Sequence, residues 1–149
     1  MVKKSVLLLM IFTLFLSVAY AKDTCSICGE VSFQYEGDIY VCLCDVADWV
    51  AFQNPNLNFS QKKCQVTRWS NDVKKAGKIF FSFENIPSGT YTIIAYQDVN
   101  NNGKADHDGE VIGEPWQCFR ELDPITCHSS WDHVNFDLKE DMKGIEIHL

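Results

Sequence analysis

The chain has 149 residues, of which 46% are hydrophobic, and it carries 20 acidic against 13 basic side chains for a formal charge of −7. This length supplies apolar side chains for one hydrophobic core rather than for two domains of ordinary size. The acidic balance disfavours nucleic acid and anionic lipid as partners, because both repel a negatively charged surface.

Residues 1–21 have the features of a secretory signal peptide. Lys3 and Lys4 precede an apolar run at 6–18, which ends in the small-residue pattern Ala19-Tyr20-Ala21. The run is shorter than the roughly 20 residues that span a bilayer, so cleavage is favoured over an uncleaved membrane anchor. We therefore expect a secreted or periplasmic protein with no membrane insertion after cleavage, and a single domain at 22–149.

Seven cysteines follow the leader. In an oxidising compartment disulfides are their expected state, and an odd number leaves at least one thiol unpaired within a monomer. Spacing does not assign the pairs, although we expect neighbouring strands to bring the CSIC stretch at 25–28 near the CLC stretch at 42–44. The disulfide candidates are Cys25, Cys28, Cys42, Cys44, Cys64, Cys118 and Cys127.

Apolar residues alternate with polar ones along most of the mature chain, which predicts half-buried strands. The first two runs, 30–35 and 39–46, flank Gly37-Asp38, which we interpret as a two-residue hairpin turn. Residues 47–75 show no sustained period and are interpreted as a long connection, with a short helix near Asp48–Phe52.

The strand pattern resumes at 78–86 and 91–98, and both runs are interpreted as central strands. An irregular stretch follows the acidic loop, and two alternating runs at 134–138 and 145–149 close the chain. Six or seven short strands separated by turns predict an all-β fold, an antiparallel β-sandwich, with a β-barrel as the second choice.

The stretch FENIPSGTYTIIAYQDVNNNGKAD at 83–106 resembles the signature of the DUF2141 family, F-x-x-L-P-P-G-x-Y-A-I-x-V-F-H-D-x-N-G-N-G-K-L-D. The similarity continues into IGEP and into the two closing strands. It implies an exported, mainly bacterial protein with a transthyretin-like sandwich and no established biochemical activity. Two departures stand out: Gln97 replaces a His of the family pattern and Asn101 replaces a Gly.

The loop DVNNNGKADHDGE at 98–110 fits a calcium loop of the D-x-[DN]-x-[DN]-G type at positions one, three, five, six, seven and nine. Position twelve is Gly109 instead of a bidentate Glu, so a neighbouring acid has to substitute for it. The alternative is a solvated turn in which Asn and Gly adopt left-handed conformations and Asp caps the backbone. The candidate ligands are Asp98, Asn100, Asn102, the carbonyl of Lys104, Asp106, Asp108 and Glu110.

Two thiol hypotheses compete with a purely structural role for the cysteines. A redox site at Cys25-Ser26-Ile27-Cys28 needs a lowered thiol pKa from a helix N-terminus or a cation, whereas a strand pattern follows this motif. The second hypothesis joins CxxC and CxC in a four-thiolate zinc or copper site. Export favours disulfides over both.

No pattern in the chain indicates catalysis. There is no G-x-S-x-G motif, and Cys127 and His128 are adjacent, so on a strand they would face opposite ways. Trp49, Trp69, Trp116 and Trp131 lie in or beside the connections. They are expected to cover the ends of the sandwich or, around Trp116, to form a contact surface for an unknown protein or glycan partner.

Overall fold

The computed structural model describes residues 24–109, 111–120 and 130–149. The predicted signal peptide at 1–21 and two of the predicted site residues, Glu110 and Cys127, lie outside these ranges. Within them, no helix has the length and apolar character needed to cross a membrane.

Ten strands and three α-helices make up the described chain. In chain order the strands are β1 (Thr24–Ser32), β2 (Asp38–Cys44), β3 (Cys64–Thr67), β4 (Lys78–Pro87), β5 (Gly89–Asp98), β6 (His107–Asp108), β7 (Val111–Ile112), β8 (Trp116–Cys118), β9 (Phe136–Leu138) and β10 (Met142–His148). The helices are α1 (Val46–Gln53), α2 (Asn71–Ala76) and α3 (Trp131–Val134), with a 3₁₀ turn at Gln61–Lys63.

Two sheets form the sandwich, as predicted. The smaller has the order β10-β1-β4, in which β1 runs antiparallel to β4 and parallel to β10. The larger has the order β3-β2-β5-β8, all antiparallel, and β9 also pairs with β5. The strands β6 and β7 form a separate two-stranded ribbon beside the acidic loop.

The main core lies between the sheets and follows from the alternation in the sequence. Every second residue of a strand points to the same face, so Ile39, Val41 and Leu43 of β2 meet Ile79 and Phe81 of β4 in one buried cluster. Ile145 and Ile147 of β10 join it from the far edge. In this way the predicted alternation of β4, β5 and β10 places one face of each strand in the core.

A second core covers the outer face of the larger sheet, where α1 packs. Strand β2 is buried along its whole length because both of its faces are covered. Asp45 caps the N-terminus of the helix, and its side chain accepts the amides of Ala47 and Asp48 at 2.9 and 3.0 Å. The helix places Trp49 and Phe52 against the sheet. The predicted short helix is confirmed and extends further than expected.

The predicted hairpin at Gly37-Asp38 is wrong. Strands β1 and β2 belong to different sheets, so the turn carries the chain from one layer to the other. Gly37 has φ 136°, and a Cβ added there would lie 2.3 Å from the Asp98 carbonyl oxygen. The glycine is required by this close approach to the end of β5 rather than by a hairpin turn type.

Two further predictions about strands need correction. Strand β5 is central, but β4 lies at one side of the smaller sheet and pairs only with β1 in the described chain. The run that was expected to begin a strand at Val134 instead ends helix α3, and the strand β9 starts at Phe136. Alternation alone does not distinguish a central strand from an edge strand, because both bury one face.

Candidate functional site: the acidic loop and the cysteines

The acidic loop starts at a buried carboxylate. Asp98 is the last residue of β5 and is fully buried. Its Oδ1 accepts the Asn102 amide at 3.1 Å and its Oδ2 accepts the Gly103 amide at 2.7 Å. Asn101 and Gly103 adopt left-handed φ values of 57° and 78°, which curl the chain back over Asp98.

Amide side chains close the loop on Asp106. The Nδ2 atoms of Asn100 and Asn102 each donate to Asp106 Oδ2 at 2.6 Å. The Oδ1 atoms accept main-chain amides: that of Asn100 accepts Asn102 N at 3.0 Å, and that of Asn102 accepts Lys104 N at 2.9 Å. The predicted ligand residues at positions one, three, five and nine therefore come together.

Glu114 belongs to the same site and was not predicted. It is buried, with 8% of its surface exposed, and it follows the β6–β7 ribbon. Its Oε1 accepts the Val99 amide at 3.0 Å and its Oε2 accepts the Asp106 amide at 3.2 Å. Burial raises the pKa of Glu114, and the charges of Asp98 and Asp106 raise it further against the effect of those two hydrogen bonds.

No spacing rule points to Glu114, because it falls beyond the twelve positions of a calcium loop. Its only signal was an acid beside Gly113 and Pro115 directly after the ribbon. Asp108 and Glu110 are the two predicted substitutes for position twelve. Asp108 is exposed on β6, and Glu110 lies outside the described residues.

Contacts with the larger sheet hold the loop in place. Gln61 Nε2 donates to the Gly103 carbonyl at 2.5 Å and to the Tyr96 hydroxyl at 2.7 Å. His107 Nε2 lies 3.1 Å from the Phe52 carbonyl oxygen at the end of α1. The 3₁₀ turn and α1 thus hold the loop at Gly103 and at His107.

The donor set is oxygen-rich and mixed. Within residues 24–109, 111–120 and 130–149, the His, Cys, Asp and Glu side chains form no group of three arranged to hold a metal ion. A cation in this loop would therefore depend on amide and main-chain oxygens as well as on carboxylates. Each carboxylate oxygen has two lone pairs, so an oxygen that accepts one amide can still bind a cation. Hard cations such as Ca²⁺ take such oxygen sets.

One disulfide is formed among the described cysteines. Cys42 and Cys64 are paired residues on β2 and β3, with Cα atoms 4.0 Å apart. Cys44 points to the same face as Cys42 and is not bonded to it, in accordance with their spacing of two on a strand. The expectation of a structural disulfide is confirmed for this pair.

The CSIC and CLC stretches do not meet as expected, because β1 and β2 lie in different sheets. Cys25 is buried in the main core, whereas Cys28 lines a groove on the outer face of the smaller sheet. Both are free thiols, but Cys42 is bonded to Cys64 and the two motifs lie in different sheets, so the four residues do not form one metal site. Cys127 lies outside the described residues.

The remaining described thiols are poorly suited to redox chemistry. Burial raises the pKa of the Cys44 thiol, and the nearby Asp48 raises it further. Burial likewise raises the pKa of Cys118 to about 12. Thiol–disulfide exchange proceeds through the thiolate, and a raised pKa lowers the thiolate fraction of both groups at neutral pH.

The tryptophans act mainly as covers for the outer core. Trp49 is buried, and its ring centroid lies 6.2 Å from that of Trp116. Trp116 also packs edge-on against Phe52 at 5.3 Å. Trp131 is partly buried against the same cluster, and Trp69 packs on Phe33 near the smaller sheet. The interpretation of these residues as covers is favoured over that of an open contact surface.

Two facing sheets, an ordered acidic loop and a cross-strand disulfide define an all-β sandwich protein with an oxygen-lined loop site. The chain belongs to the DUF2141 family, described as an uncharacterized protein conserved in bacteria, which it matches over residues 34–145. No curated protein and no solved structure matches it. The family match spans the acidic loop and Glu114, and it confirms the resemblance seen in the sequence.

Proposed function

We propose that this chain is an exported, non-catalytic β-sandwich protein whose loop at 98–114 binds Ca²⁺ as a structural clip. The observation that carries the proposal is the convergence of Asp98, Asp106 and the buried Glu114 on one short loop. Placing carboxylates near one another in a partly buried loop costs free energy unless a cation or hydrogen bonds compensate them. Calcium bound by carboxylate, amide and main-chain oxygens of the loop would offset this charge.

The order of ligands follows the loop. Asp98, Asn100, Asn102, the Lys104 carbonyl and Asp106 occupy positions one, three, five, seven and nine. Glu114 supplies the acid that is missing at position twelve, because its hydrogen bonds to Val99 and Asp106 hold it against both ends of the curl. The six to eight oxygens that Ca²⁺ takes are available from this set.

The expected affinity is that of an extracellular module. Such sites bind Ca²⁺ with dissociation constants of roughly 10⁻⁴ to 10⁻³ M. A ligand at ten times its dissociation constant stabilises the folded state by about 1.4 kcal/mol. Binding of this strength orders a loop and raises the melting temperature, and it is too weak for a cytosolic signalling switch.

Thermal melting of the purified protein in millimolar CaCl₂ and in chelator tests the proposal. We expect a higher melting temperature with calcium and no comparable rise with equal Mg²⁺, which demands a stricter octahedral geometry. The variant Asp98→Asn should abolish the shift. The matched variant Asp108→Asn removes one charge from the same loop at an exposed side chain and should retain it. Equal melting curves in calcium and chelator would rule out the clip.

Export is supported by the leader-like residues 1–21 and by the Cys42–Cys64 disulfide, a bond typical of oxidising compartments. Mass spectrometry of the protein recovered from its native host tests this part. The expected mass corresponds to a chain that begins at Lys22 and has lost two hydrogens at the disulfide. An intact leader on the protein at steady state would contradict export by cleavage.

A further inference from the structure

Strand β4 presents a long edge that is interrupted near its end, by a bulge between Phe83 and Ile86 and by Pro87, but not at its centre. It has ten residues, and in the described chain it pairs with β1 on one side and with no strand on the other. Natural edge strands are short or interrupted by charge, proline or a bulge. The centre of β4, IFFSF at 79–83, has no charged residue and no proline. Such a segment pairs readily with another strand.

The main-chain groups of this edge are directed outward. The Ser82 amide donates to Oε1 of the Gln65 side chain at 3.0 Å instead of to β1. Because amide directions alternate along a strand, the amides of Phe80 and Glu84 point the same way as that of Ser82. An incoming strand would displace the Gln65 side chain from the Ser82 amide. Its carbonyl groups would then accept hydrogen bonds from the outward amides of Phe80, Ser82 and Glu84.

Phe80 adds an exposed apolar side chain to this edge. It lies on the outer face with 69% of its surface exposed, the largest fraction among the large hydrophobic residues described. A groove of about 550 Å³ lies beside it on the same face, lined in part by Cys28, Ser82 and Gly144. A second aromatic ring placed over Ser82 would fill part of this groove and shield both rings from water.

The charges of β4 suit pairing with itself. Lys78, which is paired with Glu30 of β1 at 2.7 Å, and Glu84, which accepts the Ser82 hydroxyl at 2.7 Å, are each three residues from Phe81 and both are exposed. In an antiparallel pair related by a two-fold axis at Phe81, Lys78 lies opposite the partner's Glu84, and Phe80 lies opposite the partner's Ser82. Directly opposed residues of opposite charge stabilise a strand pair. Because the two-fold axis repeats each contact, the interface contains two ion pairs between Lys78 and Glu84 and two contacts between Phe80 and Ser82.

We propose that two copies of this chain associate by antiparallel pairing of their β4 strands about a two-fold axis at Phe81. The two sheets β10-β1-β4 then form one continuous sheet of six strands. Each Phe80 ring enters the groove beside Ser82 of the other copy. The dimer covers the IFFSF segment, which explains how a stable protein can carry such an edge.

Sedimentation velocity over a range of concentrations tests the dimer on protein produced from the full coding sequence. We expect a monomer–dimer equilibrium. The single variants Lys78→Glu and Glu84→Lys each place like charges opposite one another twice, and each should raise the dissociation constant about tenfold or more. The double variant restores opposite charges and should return the constant to within about threefold of the original.

Three further variants distinguish pairing through β4 from association through another surface. Lys143→Glu makes the same charge change on β10, the other edge of the same sheet, and should leave the dissociation constant unchanged. Phe80→Ser should weaken the dimer without harming the fold, because this side chain is already exposed. Gln65→Ala frees the Ser82 amide and should tighten the dimer.

Several results would overturn the proposal. These are a protein that stays monomeric at the highest concentrations reached, a dimer that ignores the changes at Lys78, Phe80 and Glu84, and a dimer dissociated by Lys143→Glu. Circular dichroism of each variant at low concentration confirms that the monomer remains folded, so a lost dimer is distinguished from a lost fold.

Discussion

The main-chain amide of Asp106 donates to Oε2 of Glu114 at 3.2 Å, and this bond ties the end of the acidic loop to the segment after the β6–β7 ribbon. Asp106 also receives two side-chain amides from the start of the loop at its own Oδ2. Asp106 therefore connects the start of the loop to the segment that follows the ribbon. This closure places a buried acid where a cation can neutralise it.

The variant Glu114→Gln should weaken calcium binding about tenfold or more. It keeps the size of the side chain and an acceptor for one of the two amides, but removes the charge that takes the place of the missing acid at position twelve. Isothermal titration with CaCl₂ measures the change. Asp108→Asn is the control and should bind as the native protein does. Equal affinities for Glu114→Gln and the native protein would remove Glu114 from the site.

Calcium affinity should fall with decreasing pH. The fall should begin at a higher pH than for a site made of carboxylates with ordinary pKa values. Burial raises the pKa of Glu114 in the folded state, so without a cation this residue favours folding below its unfolded pKa. That contribution is lost as the pH rises through the raised folded pKa. Calcium must displace the proton, so its dissociation constant increases as the pH falls through the same raised value.

Titrations at a series of pH values between about 7 and about 5 measure this effect, and loss of one proton limits the slope to about tenfold per pH unit. Glu114→Gln should flatten the profile over this interval, because the titrating group is gone. A profile that is flat in the native protein, or equally steep in the variant, would assign the proton to another residue.

Much of the fold followed from alternation, and the exceptions have physical causes. Burial of one face is a local property of a strand, so the inner residues of β4, β5 and β10 were predictable. Pairing is not local: Gly37-Asp38 has the composition of a hairpin turn, yet it joins two sheets. Likewise, the edge position of β4 depends on which strands pair with β1.

The acidic loop shows the same difference between residues that are close in the sequence and residues that folding brings together. Positions one to nine of the calcium pattern lie in one stretch, and Asp98 and Asp106 each accept a hydrogen bond from Asn102. Glu114 reaches the loop only because the β6–β7 ribbon turns the chain back. A residue that reaches a loop through tertiary structure has no fixed spacing from it, so the pattern could not contain Glu114.

The variant Gly37→Ala should be strongly destabilising. A Cβ at this position would lie 2.3 Å from the Asp98 carbonyl oxygen, and the φ of 136° is unfavourable for any side chain. Because the obstacle is backbone, we expect a loss of about 2–4 kcal/mol in the free energy of unfolding. Urea unfolding measures it.

Gly77→Ala is the matched control for Gly37→Ala. Gly77 also has a positive φ, 68°, and caps α2, but an added Cβ would meet no atom within 4 Å. Its substitution should cost only about 1 kcal/mol. Similar losses for the two variants would show that backbone conformation alone, and not the close approach to β5, sets the requirement for glycine at Gly37.

The variant Cys64→Ser should destabilise the fold by about 3 kcal/mol. The Cys42–Cys64 bond joins residues separated by 22 positions, and closing a loop of this length restricts the unfolded chain by about that amount. Cys28→Ser is the control, since Cys28 is a half-buried free thiol and its replacement should change stability little. Unfolding in urea, with and without reductant, gives both values. Reductant should lower the stability of the native protein to that of Cys64→Ser. It should leave the stability of the variant unchanged. A variant as stable as the oxidised native protein would show that this bond does not stabilise the sandwich.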